Sequence, residues 1–337
     1  MGHGREVRRP WAPPTLREVA ARAAVSLATA SRALSHPDDG AANRPAASEH
    51  VRAVARQLGY VGHETPAPRL AAFTSDITRT GYWETLSGIT AGARTAHVDV
   101  VIHVLAGSPE ERHRTLTSAL RDRIDGAVVL EFDSPAVEII TELPRDVPVA
   151  IAGGYPSETL DLPRAWIDDF SGAVEATEHL VGLGHRRIGF VGVPAAGHPD
   201  PRVRGWRHVI RRAGLGEVAP LGTGWSASTG RRAATRAIDA GVTGILCGND
   251  DLALGVLAGL ADAGRRVPED VSVIGMDDHP LARCASPALT TVRLDFQAMG
   301  EAAAALALGL GAPGSVQVVR IPTELLVRGS TAPPPAS

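Results

Sequence analysis

Residues 15–34 read Thr15-Leu-Arg-Glu-Val-Ala-Ala-Arg-Ala-Ala-Val-Ser-Leu-Ala-Thr-Ala-Ser-Arg-Ala-Leu34. Thr15 with Glu18 three residues on forms a capping box, the signature of a helix start. Leu16, Val19, Ala20 and Ala23 then repeat at helical spacing. Ala24-Val25-Ser26 breaks the pattern, and Ser26 caps a second helix predicted over 27–34. Two short helices joined by a turn of about three or four residues make a helix-turn-helix, whose second helix enters the major groove. An ordinary helical hairpin has the same periodicity, so the exposed chemistry has to separate the two. Ser26, Leu27, Ala28, Ser31 and Arg32 would face DNA. Arg32 can pair with guanine through O6 and N7 or clamp a phosphate.

Outward from this stretch, a loop over 35–44 holds the turn formers Pro37, Asp38, Asp39 and Gly40. A third helix follows from Pro45 to Leu58, with Val51, Val54, Ala55 and Leu58 as its apolar stripe and Gly59 as its stop. Residues 61–69 contain Pro66 and Pro68 and read as a linker. From Leu70 the pattern alternates. Strands are predicted over 71–75, 98–105, 126–132, 147–152, 164–168, 187–193, 217–222, 244–248 and 271–276. Helices are predicted over 82–97, 109–123, 134–143, 171–183, 201–213, 226–240, 250–263 and 296–310. Such alternation implies parallel sheets with right-handed crossovers, and nine strands fit two lobes better than one sheet. Ligands of such sheets bind outside the carboxyl ends of the strands, so two facing lobes would make a cleft site.

Composition agrees with this division. The 337 residues suffice for two or three compact units, and 44% hydrophobic content argues against disorder. Two cysteines, Cys247 and Cys284, make no disulfide framework, which points to a reducing compartment. No apolar run approaches the ~18–20 residues of a membrane span. The basic N-terminus is not followed by the apolar core of a secretory signal, so a cytoplasmic protein is expected. All 34 basic residues are Arg. Residues 1–69 carry ten Arg against six acids, a net of +4, which leaves −7 for the rest of a chain whose total is −3. A basic head on an acidic body suggests that only the head meets a polyanion.

The head closely resembles the lactose-repressor (LacI/GalR-type) family of bacterial transcription regulators. Val25-Ser26-x-Ala28-Thr29-x-Ser31-Arg32 matches that family's recognition-helix pattern, with Ala30 in place of the usual Val. Gln57-Leu58-Gly59-Tyr60 is also similar to it. In the body, His179-Leu-Val-Gly-Leu-Gly-His-Arg-Arg-Ile188, Arg202-Val-Arg-Gly-Trp206, Cys247-Gly-Asn-Asp-Asp-Leu-Ala-Leu-Gly255 and Val267-Pro-Glu-Asp-Val-Ser-Val-Ile-Gly-Met-Asp-Asp278 look family-typical. So do Pro287-Ala-Leu-Thr-Thr-Val292 and Leu326-Val-Arg-Gly-Ser-Thr-Ala-Pro333.

The resemblance implies an N-terminal all-α helix-turn-helix head and an α/β two-lobed body like a periplasmic binding protein. Its expected division is a 1–13 extension, a 14–60 DNA-binding domain, a 61–69 linker and a 70–337 effector-binding and dimerisation domain. Within that domain, lobe 1 would hold about 70–167 and 293–320, lobe 2 about 168–292, and 321–337 would be a tail. It implies DNA contacts from Thr15, Ser26, Leu27, Ala28, Thr29, Ser31, Arg32 and Ser35. It implies a small effector, often a sugar, held by Arg202, Asn249 and Asp277, with Trp225 as an aromatic wall. From the first lobe, Asp76, Tyr82 and Trp83 follow the first strand and should reach the cleft. Guanidinium, amide and carboxylate groups suit vicinal hydroxyls. Core packing is the competing reading for the aromatics, and capping or turn roles for Asn249 and Asp277.

Some positions depart from the family. About ten residues separate Tyr60 from the first strand, two of them Pro, so a normal hinge helix inserting into the minor groove is not expected. Ala47 and Ser48 stand where a threonine–arginine pair often meets phosphate, so that contact is either lost or moved to Arg44 or Arg52. Gly153 replaces a frequent carboxylate, and Leu294 a polar residue.

Other chemistries find little support. Leu221-Gly-Thr-Gly-Trp-Ser-Ala227 superficially matches a dinucleotide loop, but Trp225 would crowd a pyrophosphate. No P-loop, nucleophile elbow or zinc spacing appears, and no metal or cofactor is expected. His185-Arg186-Arg187 reads as surface leading into a strand, and Cys247 as a buried hydrophobe. The expectation is a homodimeric repressor, not an enzyme, that binds a pseudo-palindromic double-stranded operator and is released by a carbohydrate-like effector. An activator or corepressor-dependent regulator of the same family stays open, and a solute-binding protein is a distant alternative that would need export and has no use for the head.

Overall fold

The computed structural model describes residues 14–34, 46–60, 68–122, 124–154, 162–194, 200–310 and 317–336. The chain divides into two compact units, residues 1–67 and 68–337.

Among its described residues, the first unit holds three helices: α1 (Leu16–Arg22), α2 (Leu27–Leu34) and α3 (Ala46–Leu58). Its core is small and alanine-rich, with Val19, Ala20, Ala23, Ala30, Ala33, Val51, Val54 and Ala55 buried together and Leu16, Val25, Leu34, Leu58 and Tyr60 packed around them. Thr15 and Glu18 form the expected reciprocal capping box. The turn after α1 places Ala24 at φ 53°, the left-handed region where a Cβ is strained.

The second unit holds two six-stranded sheets. The first comprises β1 (Arg69–Thr74), β2 (Asp99–Val104), β3 (Gly126–Glu131), β4 (Val149–Gly153), β5 (Arg164–Ile167) and β11 (Val318–Ile321). Its order is β11-β5-β4-β3-β1-β2, with every pairing parallel. The second comprises β6 (Ile188–Gly192), β7 (Gly222–Thr223), β8 (Gly244–Cys247), β9 (Ser272–Asp277), β10 (Thr290–Leu294) and β12 (Thr323–Leu326). Its order is β12-β10-β9-β8-β6-β7, parallel except for β12 against β10.

The connecting helices are α4 (Thr80–Thr95), α5 (Pro109–Arg121), α6 (Ser134–Ile140), α7 (Asp169–Gly182), α8 (Pro201–Arg212), α9 (Ala227–Asp239), α10 (Asp250–Asp262) and α11 (Phe296–Ala307). The chain passes from the first lobe to the second at Asp168, returns at Asp295 and crosses again between β11 and β12. Asp168 and Asp295 cap the helices that follow, accepting hydrogen bonds from the Ser171 and Ala298 N–H groups at 3.0 and 2.8 Å.

Two helix pairs approach closely enough to require glycine. A Cβ at Gly88 of α4 would lie 2.1 Å from the Gln297 carbonyl, and one at Gly255 of α10 would lie 1.9 Å from that of Ala227. These contacts bring α4 against α11 and α9 against α10; the N-terminal ends of α4, α10 and α11 carry cavity residues, and Trp225 lies just before α9.

The structure corrects the strand reading in four places. The strand expected over 217–222 is reduced to Gly222–Thr223; Gly216 and Pro220 weaken it, and Pro has no N–H for a ladder. Strands β10, β11 and β12 were not expected, because four or five residues are too few for a strand's periodicity to announce itself. The segment expected as a C-terminal tail supplies β12 and a docked end, where Ser330 hydrogen-bonds the Thr290 N–H at 2.8 Å and the Val273 carbonyl at 2.6 Å. Residues 61–67 of the linker, on which the hinge-helix expectation falls, lie outside the described residues.

Candidate functional site

In the head, α2 turns Ala30 and Ala33 into the core. Ser26, Leu27, Ala28 and Arg32 are exposed, while Thr29 and Ser31 are half-buried. Leu27 is 47% exposed, an outward apolar surface. The Ser26 hydroxyl accepts from the Thr29 N–H at 3.1 Å and shares a 2.8 Å bond with its hydroxyl, so Ser26 caps the helix it opens. The side chain of Arg32 runs along the helix, with Nε 3.4 Å from the Ala28 carbonyl. Thr15 is exposed, but its hydroxyl is engaged with Glu18. Arg52, expected to take over a phosphate contact, donates Nε to the Ala33 carbonyl at 2.9 Å and so caps the end of α2. Ser35 and Arg44 lie outside the described residues.

In the body, a cavity of about 110 Å³ lies between the lobes, at the carboxyl ends of their strands. Arg202, in the first turn of α8, projects into it. Its guanidinium pairs with Asp169 at 3.0 Å and donates to the Gly248 carbonyl at 3.0 Å, while its backbone N–H reaches Asp200 at 3.0 Å. Burial opposes the Arg202 charge, but the carboxylates of Asp169, Asp200 and Asp277 more than offset it and hold its pKa up. Burial likewise pushes the Asp169 carboxyl up, against the pull of Arg202.

Asp277 ends β9 at φ 125°, and Asp278 follows at φ 59°. Two consecutive non-glycine residues in this region store strain, a feature that clusters at functional sites. Asp277 is 9% exposed and lines the cavity. Burial and the neighbouring Asp250 raise its pKa well above the ordinary value. Asp250 itself is fully buried; burial raises it to about 7, against hydrogen bonds from the Thr291 hydroxyl at 2.6 Å and the His279 N–H at 2.7 Å. Asp278 is held outside the cavity by Arg293 at 3.2 Å and by Arg328.

Asn249 caps α10 through its carbonyl oxygen and donates its amide to the Trp225 carbonyl at 3.2 Å, while still lining the cavity. Over the Trp225 ring, 4.7 Å from its centroid, sits the guanidinium of Arg79 from the opposite lobe. The same guanidinium lies 5.7 Å from the Tyr82 ring. Tyr82 is buried, donates its hydroxyl to Asp133 at 3.0 Å, and packs edge-on against Phe132 with centroids 4.9 Å apart.

Residues 15–62 match the model for bacterial regulatory proteins of the lacI family. Residues 177–331 match a periplasmic binding protein-like domain. Among curated relatives, the HTH-type transcriptional regulator MalR of Streptomyces coelicolor is 34% identical over 95% of this chain and 97% of its own. The HTH-type transcriptional regulator reg1 of Streptomyces lividans is 33% identical over the same shares. The chain belongs to the LacI family. It is a DNA-binding transcriptional regulator. Among solved structures, a transcriptional regulator CelR–cellobiose complex superposes with a TM-score of 0.69 at 27% identity, covering 94% of this chain and 99% of that one.

For this LacI-family member, the fold brings five of the seven residues proposed for the effector to one cavity: Tyr82, Arg202, Trp225, Asn249 and Asp277. The other two stand apart. Asp76 folds back into a turn, accepting from the Thr78 N–H at 2.6 Å and hydroxyl at 2.7 Å and pairing with Arg79 at 3.2 Å. Trp83 points the other way around α4 from Tyr82, as adjacent helical residues must. It is 42% exposed on a separate groove beside Glu84, whose carboxyl burial, with Asp295 and Asp278, raises to about 7.

The sequence reading missed Arg79, Phe132, Asp169, Asp200 and Phe296, all of which line the cavity. Asp200, directly before Pro201 at a helix start, was the one with a local signal. Gly153, noted as a lost carboxylate, also lines the cavity, with Glu131 and Arg164 forming a buried ion pair beside it. Leu294 is core. His185 is a correction: it is fully buried, bridging Thr243, Ser272 and the Ala332 carbonyl at 2.9–3.1 Å, because its ring stitches the C-terminal segment to the second sheet.

Proposed function

We propose that the protein is a cytoplasmic, homodimeric repressor whose heads bind the two halves of a pseudo-palindromic operator and whose cavity takes a carbohydrate-like effector. The observation that carries the DNA half is the α2 face. Its small residues Ala30 and Ala33 are buried, and Ser26, Leu27, Ala28 and Arg32 are left outward, with Thr29 and Ser31 at the margin. This face can make hydrogen bonds and apolar contacts to base edges, and Arg32 the bidentate one.

The effector half rests on the cavity. Arg202 supplies donors, Asp277 acceptors and Trp225 an aromatic face, the mixture that pairs hydroxyls and stacks on a sugar ring. A regulator similar over nearly its whole length holds cellobiose. The edge strand β2 exposes Val101, Ile102 and Val104, an apolar edge suited to a second copy. An effector that binds one arrangement of the lobes more tightly shifts the dimer toward it, and operator affinity falls by the same coupling.

The test is an operator titration at fixed salt, with and without effector, since the phosphate contribution varies steeply with salt. Affinity should fall when effector is added. Arg32→Ala should weaken specific binding by about 1–3 kcal/mol while leaving non-specific binding close to wild type. Wild-type operator affinity in that variant would remove α2 from the interface, and an effector that tightens operator binding would make the protein corepressor-dependent.

A further inference from the structure

The charges on the cavity wall do not balance. Glu131 is paired with Arg164, Arg79 with Asp76, and Arg202 with Asp169. Asp277 and Asp251 line the cavity with no hydrogen-bond or ion-pair partner among the described residues. Asp200 uses one oxygen on the Arg202 N–H, and its buried Oδ2 has no partner among the described residues. Asp277 is nine-tenths buried, so water screens it poorly. Asp277 and Asp200 share only the Arg202 guanidinium, which Asp169 already pairs, so with Asp251 the wall carries an excess of negative charge. An anion brought there meets these carboxylates at low dielectric, whereas an uncharged polyol answers them by hydrogen bonds alone and leaves the excess charge in place.

A second feature of the same wall points in the same direction. The exposed face of Trp225 already carries a cation, the Arg79 guanidinium. A ring face with uncommitted carboxylates around it is the arrangement that holds organic ammonium and guanidinium groups.

We infer that the effector cavity selects a polyhydroxylated ligand bearing a protonated amine, an amino sugar in chemical class, and rejects phosphorylated or carboxylated sugars. The ammonium sits among Asp277, Asp251 and Asp200, and the ring lies against Trp225, with Arg79 displaced or sharing the face. Arg202 remains as the hydroxyl donor. Burial and Asp250 push the Asp277 carboxyl up. A ligand cation beside it favours its ionised form.

This inference rests on the proposed carbohydrate site and is tested with matched probes on the full chain. Calorimetric titrations at pH 6.5 would compare glucosamine, N-acetylglucosamine, glucose and glucose 6-phosphate, with the same four forms in the galacto and manno series. In at least one series the amine should bind about tenfold or more tighter than its neutral partners, about 1.4 kcal/mol. The phosphate should bind most weakly. In Asp277→Asn the amine preference should shrink to about threefold or less, and Asp251→Asn, away from the strained backbone, should narrow it independently. Neutral sugars binding as tightly as the amines, or phosphates binding tightest, would overturn the inference and leave the carbohydrate site standing. An amine preference unchanged in both variants would remove these carboxylates from it. No binding by any probe of the three series would overturn both.

Discussion

In the head, one helix of eight residues presents the surface proposed to meet DNA, held by two buried alanines and its own Ser26 cap. In the body, the cavity draws Tyr82 and Phe296 from the first lobe and Arg202, Trp225, Asn249 and Asp277 from the second, residues separated by more than half of the chain. The head surface is exposed and its backbone regular, apart from Ala24 in the turn. The cavity wall is buried, charged and strained at Asp277–Asp278. Recognition of a long polyanion needs outward side chains on a rigid frame. Recognition of a small polar ligand needs groups desolvated in advance, and the cost of that desolvation appears as the raised carboxyl pKa values around Asp250 and Asp277.

Substitutions can break this contrast, and the largest effect is expected in the body. Arg164 is fully buried against Glu131 and donates to the Gly153 carbonyl at 2.9 Å. Arg164→Ala leaves a buried carboxylate unpaired and should destabilise the body by about 3–5 kcal/mol in a denaturant titration. A loss below ~1 kcal/mol would mean that water reaches Glu131 and that this wall is wet.

Asp277→Ala comes next: effector-dependent release should disappear in the operator titration, while effector-free affinity stays within about twofold of wild type. Release that persists would move the effector out of this cavity.

A third effect depends on pH. Burial raises Asp250 from 3.8 to about 7, so between those values the folded body keeps a proton that the unfolded chain has given up. Stability should therefore fall as pH rises through that window and level off above about 7. Thermal midpoints measured from pH 5 to pH 8 should show this decline, and Asp250→Asn should make it shallower, with Glu84 and Asp277 contributing the remainder. A midpoint that climbs across that range would show that other groups dominate.

The smallest effect belongs to the head. Ala24→Gly relieves the left-handed turn and should stabilise that unit by about 0.5–1 kcal/mol, with operator affinity unchanged. A loss of stability would mean that the Ala24 methyl packs usefully.

The contrast also governs how much was legible in advance. The capping box at Thr15 and Glu18, the break at Ala24 and the Ser26 cap of α2 are local signals, and each stands where the pattern put it. In the body, strand–helix alternation gave the sheets, but β10, β11 and β12 are short strands that pair with partners far along the chain. Asn249 shows both sides of the problem, being a helix cap and a cavity residue at once. Trp83 and Tyr82 are neighbours in sequence, and only the packing of α4 on α11 settles which one faces the cavity.

By itself, the sequence determined the helix-turn-helix, the two-lobed α/β body and the family, because capping, periodicity and turn chemistry act within a few residues of one another. Tertiary structure alone decided that Arg79 lies over Trp225, that Arg202 pairs with Asp169, and that Asp277 lines the cavity without a direct ion pair of its own. Those pairings depend on which strand ends converge, and on how much water the converging lobes exclude.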